Sequence, residues 1–346
     1  MKSPYSTHVL AITLLLLLVA GCGGQDTSNA PDDADETASN AQLVIEEWTV
    51  EWENSRPRDP YVAPDGRVWF CGQRDGYLAV LDPETGETTR FDLGEGAGPH
   101  NLIVDADGMV WYAGNRRAHI GRLDPATGDV TTFDMPVPEA RDPHTLVWAP
   151  DGNIWFTLQG SNMVGHLNTE TGEVELMSAP TDRSRPYGIW MDSQGTPWVA
   201  LFGTNRIAHV DTEAMELVEF ELPNEDARPR RLVVTSDDRV WVGDYTRGYL
   251  GAYNPADGSY EEWAMPSAEK SRPYAMEVDS EDRVWFVETG VQPNLFTAFN
   301  TATETFEHAT PVPSGGGTVR HMYRDPAAGA IWFGTDANTV GRALLP

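Results

Sequence analysis

The sequence predicts an all-β chain folded as a seven-bladed β-propeller, with four antiparallel strands per blade and the last blade closed by the amino-terminal strand. Three observations predict it. Trp69, Trp111, Trp155, Trp198, Trp241, Trp285 and Trp332 recur at spacings of 42 to 47 residues, the period of propeller blades. Each period carries the same four short apolar or β-branched phrases, one for each strand of a blade. Between the phrases stand Asp-Gly and Asp-Pro-x-Thr-Gly, which supply the positive φ and preset geometry of tight hairpin turns.

The elements follow in chain order. Residues 1–21 read as a secretory signal: Lys2, an apolar run from Val9 to Ala20, and a small-residue ending. The run is too short to remain as a membrane span. Val19-Ala20-Gly21-Cys22 looks like a bacterial lipobox. It implies cleavage before Cys22, lipidation of that residue, and an exported protein anchored to a membrane by lipid alone, on the outer membrane facing the periplasm. Residues 22–42 are rich in Gly, Ser, Asn, Asp and Glu, a composition that buries no core and predicts a disordered linker. Residues 43–346 are the expected propeller.

Within that region Leu43 to Trp52 reads as a strand with no unit of its own. The seventh unit ends after Val340-Gly341-Arg342, one strand short. The two ends complement each other, so the amino-terminal strand is expected to complete the last blade and remove an exposed edge. The second unit shows the full pattern: Pro99 to Val104, Asp107-Gly108, Val110-Trp111-Tyr112, His119 to Leu123, Asp124-Pro125-Ala126-Thr127-Gly128, and Val130 to Phe133. Once the signal is cleaved and Cys22 lipidated, only Cys71 remains as a thiol. No internal disulfide can then form, and stability must come from packing.

A formal charge of −29 opposes nucleic acid and anionic lipid headgroups, both of which need a cationic surface. A soluble, monomeric body is expected. The variable connections lie on the face where the innermost strands begin, so the site is placed there, on a rigid scaffold. Reading one position in all seven units gives Tyr61, His100, His144, Tyr187, Arg230, Tyr274 and His321, with Arg185, Arg228, Arg272 and Arg320 just before four of them. This is a basic, aromatic funnel in an acidic protein. Asp244, Glu288 and Asp336, near the ends of second strands, are expected at the same mouth. Such carboxylates can orient an imidazole base or hold a hard cation. No Walker loop, zinc HExxH, nucleophile elbow or dinucleotide fingerprint occurs.

The phrases Gly98-Pro99-His100, Arg185-Pro186-Tyr187-Gly188-Ile189, Asp151-Gly152-Asn153-Ile154-Trp155-Phe156-Thr157 and Ile120-Gly121-Arg122-Leu123-Asp124-Pro125 resemble those of the virginiamycin B lyase (streptogramin lyase) family. The resemblance covers roughly residues 43 to 345. It implies a seven-bladed propeller that linearises a cyclic depsipeptide antibiotic by elimination, with Mg2+ and a histidine base. The family's pattern places a histidine where this chain has Tyr274 and a glutamate where it has Val319. The second histidine falls on His321, and the last glutamate on Asp336, a shorter carboxylate. His100 and Asp142-Pro143-His144 offer a rotated version of the same arrangement, with Gln159 in its last position.

Two functions are expected on these grounds. As a lyase, His321 would be the base, with His100 and His144 as the rotated alternative. Asp336 and Glu288 would hold Mg2+, and Arg320 and Arg230 would bind anionic oxygens. As a non-catalytic receptor, the funnel, with Tyr61, Tyr187, Arg230, Tyr274 and Arg320, would hold an anionic glycan, peptide or protein loop. Sugar-lactone hydrolysis of the regucalcin-like kind belongs to six-bladed propellers, whereas seven units are counted here.

Overall fold

The computed structural model describes residues 42–346. The expected signal peptide, the lipidated Cys22 and all but the last residue of the linker lie outside the described residues. The chain forms seven four-stranded antiparallel sheets. In six of them the strands follow sequence order from the innermost outward. The innermost strands are Pro57–Val62, Pro99–Val104, Pro143–Trp148, Pro186–Met191, Pro229–Val234, Pro273–Val278 and Val319–Asp325; they number blades 1 to 7 below.

The seventh sheet closes the ring as expected. Its outer strand is Val44–Thr49, which pairs antiparallel with Thr339–Leu344 from Val44 opposite Leu344 to Thr49 opposite Thr339. Trp48 stacks on Trp332 with centroids 5.3 Å apart, and Asn338 Nδ2 donates to the carbonyls of Val50 (2.9 Å) and Trp52 (3.0 Å).

The core lies between blades. Trp69, Leu78 and Val80 of blade 1 pack with Leu102, Val104 and Tyr112 of blade 2, and comparable clusters recur around the ring. Each such side chain contributes about 1.5–3 kcal/mol on full burial. The turn chemistry also explains the tryptophan period. Asp105 Oδ1 accepts the amides of Asp107 and Met109, while its Oδ2 accepts the indole N–H of Trp111 at 2.9 Å. Asp192 with Trp198 (3.0 Å) and Asp279 with Trp285 (2.8 Å) repeat this. One carboxylate thus fixes a turn and seats the next tryptophan.

Candidate functional site

Every innermost strand breaks register near its start, after the first residue in six blades and after the second, Arg58, in blade 1. A bulge of this kind bends the strand and re-aims side chains. The residues it gathers about the axis form two layers. The first is Arg58, His100, His144, Tyr187, Arg230, Tyr274 and Arg320. The second includes Asp59, Asn101, Thr145, Arg231 and His321.

Two expected ring members are displaced from the first layer. Pro57 pairs with Gly72 as Pro99 pairs with Gly114, so Arg58 is the counterpart of His100. Tyr61 pairs with Trp69, as Ile103 pairs with Trp111. At ~3.3 Å per residue Tyr61 therefore lies about 10 Å further along the strand, where its ring meets Tyr323 at 4.0 Å. Blade 1 carries two prolines, Pro57 and Pro60, and only the pairing shows which one starts the strand. His321 sits one residue below Arg320 and lines a cavity at the Tyr61 end. Blade 7 begins with Val319 instead of proline, so the sequence offers no marker of position there.

The layers are tied by hydrogen bonds. Arg58 Nε donates to Asp59 Oδ1 (2.8 Å) and its Nη1 to Gln73 Oε1 (3.2 Å) and His100 Nε2 (3.0 Å). A guanidinium has no acceptor, so His100 Nε2 accepts, and Nδ1 carries the proton donated to the His144 carbonyl (3.2 Å). The His100 and His144 rings lie 3.7 Å apart. Burial, reinforced by the nearby arginines, holds both imidazoles well below their usual range and neutral. Asn101 Nδ2 donates to Asp59 Oδ2 (3.0 Å), and Arg231 stands 3.9 Å from that oxygen.

Above this network, the Arg230 guanidinium lies 3.6 Å from the Tyr274 ring centroid, 4.4 Å from Tyr245, 4.8 Å from Phe202 and 5.0 Å from Tyr187. The Tyr187 and Tyr274 hydroxyls share a hydrogen bond. Burial alone would raise the Tyr274 phenol, but Arg230, Arg58, Arg231 and Arg320 bring it down to about 8. Tyr187, buried beside the Tyr274 hydroxyl, is pushed up to about 12. Arg320 pairs with Asp336, and Arg56 Nε stands 3.4 Å from the same carboxylate.

The cluster is over-supplied with cations. Arg58 Nη2, Arg230 Nε, Arg231 Nε and Nη2, and Arg320 Nε are buried with no hydrogen-bond acceptor among the described residues. Buried donors left unsatisfied are costly and mark a place for an acceptor.

The acids expected to hold Mg2+ are already engaged. Glu288 is fully buried and accepts from Ser267 N (2.9 Å) and Thr297 Oγ1 (3.4 Å). Asp244 accepts the amides of Arg228, Thr246 and Arg247. Both carboxylates fix loops. Asp336 is the one that reaches the arginines, and it is paired with them. Among the described residues no three His, Cys, Asp or Glu side chains converge as metal ligands, and these residues do not fit the ion. The sequence reading missed Arg58, Asp59 and Arg231. The motif Arg-Asp-Pro, with Pro57 before it, was the available signal for the first two.

The model of the virginiamycin B lyase family matches residues 37–292, ending before His321 and Asp336. Among solved structures, virginiamycin B lyase from Staphylococcus aureus is 23% identical with a TM-score of 0.79, covering 88% of this chain and 100% of that one. A catalytically inactive variant of it with quinupristin gives the same figures. A streptogramin B lyase structure is 24% identical with a TM-score of 0.78, covering 88% and 98%. The extracellular domain of a protein named as a hybrid two-component system of B. thetaiotaomicron is 15% identical with a TM-score of 0.69, covering 88% and 43%. These likenesses are of fold. No curated protein matches the sequence. The family model spans well over half of the propeller-bearing chain, and the chain belongs to the virginiamycin B lyase family.

Proposed function

We propose that this protein is an exported, lipid-anchored propeller whose central funnel holds a ligand through its carboxylate or a comparable oxyanion. The observation that carries the reading is the excess of buried guanidinium N–H groups on Arg58, Arg230, Arg231 and Arg320. An oxyanion is the acceptor they lack, and charge-assisted bonds to arginine are the strong kind. The aromatic rings around Arg230 hold that side chain in place before the ligand arrives, which reduces the ordering needed on binding.

Membership of the family favours elimination as the chemistry of this funnel. Tyr274, acidified by its arginines, would take the proton from the carbon beside a carbonyl. That C–H pair becomes the new C=C bond, and the leaving oxygen departs with the C–O pair. Arg230 and Arg320 would stabilise the developing enolate in place of a metal ion. His321, lining the opposite cavity and lowered to about 3 by burial and Arg231, is a weak proton acceptor.

One experiment tests both layers. In isothermal titration, an oligogalacturonate should bind and its neutral methyl ester should not, and Arg230→Ala with Arg320→Ala should weaken binding at least tenfold. Incubation with quinupristin should then give a ring-opened product of unchanged mass, lost in Tyr274→Phe. Equal binding of acid and ester overturns the anion site. Acid binding without ring opening leaves a receptor and removes the elimination.

A further inference from the structure

At the far end of the axis the innermost strands enclose a second cavity of about 410 Å3, lined by Tyr61, Trp148, Trp190, Glu277, His321 and Tyr323 among others. Asn101, Thr145 and His321 of the second layer line it, and none of Arg58, Arg230 or Arg320 does. Its walls are aromatic, and its acid is unusual. Glu277 is 4% exposed and accepts only two backbone amides, Val278 N and Arg324 N, both at 3.0 Å. No ion pair links it to an arginine or lysine side chain among the described residues.

Tyr61 and Tyr323 lie ring against ring, their centroids 4.0 Å apart, and all four aromatic side chains stay partly exposed. Elsewhere in this protein arginines cover aromatic rings repeatedly: Arg122 over Trp111, Arg239 over Trp241, Arg283 over Trp285, Arg342 over Trp332. Among the described residues no guanidinium lies over Tyr61, Trp148, Trp190 or Tyr323, and Arg324, which also lines the cavity, covers none of them. The turns that rim this face carry Asp65, Asp107, Asp151, Asp192, Asp238 and Asp282. The arginines on the same turns, Arg67, Arg239 and Arg283, are each paired with a carboxylate. Partly exposed rings that no guanidinium covers, a carboxyl group in no ion pair and an acidic approach all favour a cation.

We propose that this cavity is a binding site for a small organic cation, a quaternary ammonium or protonated amine, seated against Tyr61, Trp148, Trp190 and Tyr323 with Glu277 as its counter-charge. The site is distinct from the arginine funnel in ligand charge and in face.

The probe is choline, compared with its neutral carbon isostere 3,3-dimethylbutanol, by tryptophan fluorescence and isothermal titration on the propeller at pH 9, above the range in which Glu277 titrates. Choline is expected to bind at least tenfold more tightly than the isostere. Tyr61→Leu and Glu277→Gln should each weaken choline at least tenfold, while Arg230→Ala leaves it unchanged. If Glu277→Gln fails to fold, the isostere comparison on the wild-type chain decides. Equal binding of the two probes, binding of glucose in preference to choline, or no binding of choline overturns the proposal.

Discussion

Glu277 shows how much one buried group can determine. Burial raises its carboxyl from the ordinary 4.5 to about 8, against the opposing pull of two amides and Arg324. Besides Arg324, the titratable groups that share the cavity are Tyr61, Tyr323 and His321, which are neutral near pH 7, with the tyrosines raised and the histidine lowered. A carboxyl whose folded value is raised keeps its proton where the unfolded chain has released it. Stability therefore falls as pH climbs from about 4.5 to about 8 and levels off above. In urea denaturation, wild type should lose stability relative to Glu277→Gln between pH 5 and pH 8, and parallel curves would show that the group ionises normally. This residue was invisible as a site in the sequence because its strand phrase reads as one more apolar core segment, Tyr274-Ala275-Met276-Glu277-Val278. Only the third dimension shows which side faces the axis. His100, His144, Tyr187, Arg230 and Tyr274 were legible because a proline marks the first position of their strands. Arg58 and the true place of His321 were not, because blade 1 has a proline too many and blade 7 has none.

At the scale of the element, the closing strand joins the two ends of the propeller. Val44–Thr49 makes the last sheet four-stranded, Leu43 and Val50 are buried, and the Leu43 amide donates to Thr310 Oγ1 of blade 6 at 2.9 Å. Removing residues 43–50 bares the edge of Thr339–Leu344, strips Trp332 of its stacked partner and leaves an unpaired row of N–H and C=O groups. The shortened chain is expected to melt at least 10 °C lower and to aggregate, and a peptide of residues 43–50 added in trans should restore part of the loss. An unchanged melting temperature would mean that the ring closes without it. The strand was legible because a unit one strand short and a strand without a unit can satisfy their edges only together. The loop-fixing duties of Asp244 and Glu288 were not, since a carboxylate's partners are backbone amides that no residue type announces. Sequence position put both acids at the mouth, and Ser267, Arg228 and Thr246 had already claimed their oxygens.

Across the whole molecule the charge is unevenly placed. The chain has 53 acidic against 24 basic side chains, yet arginines are concentrated at the axis, while acids dominate the turns of the opposite face. Self-repulsion of this net charge disfavours the compact state. Its range is set by salt, about 10 Å at 0.1 M and 3 Å at 1 M. The buried pairs around Asp59 are shielded from solvent and screened far less. Raising NaCl from 10 mM to 200 mM should therefore raise the melting temperature, with most of the gain below about 0.1 M, while the same change weakens both an anion at the funnel and a cation at the aromatic cavity. Repulsion between surface acids is relieved by salt, whereas the attraction of either ligand is reduced by it. A melting temperature that stays flat or falls over that interval would mean that local ion pairs, such as Arg247 with Glu262 and Arg206 with Glu221, already neutralise the surface, and that the formal charge does not govern the stability of this fold.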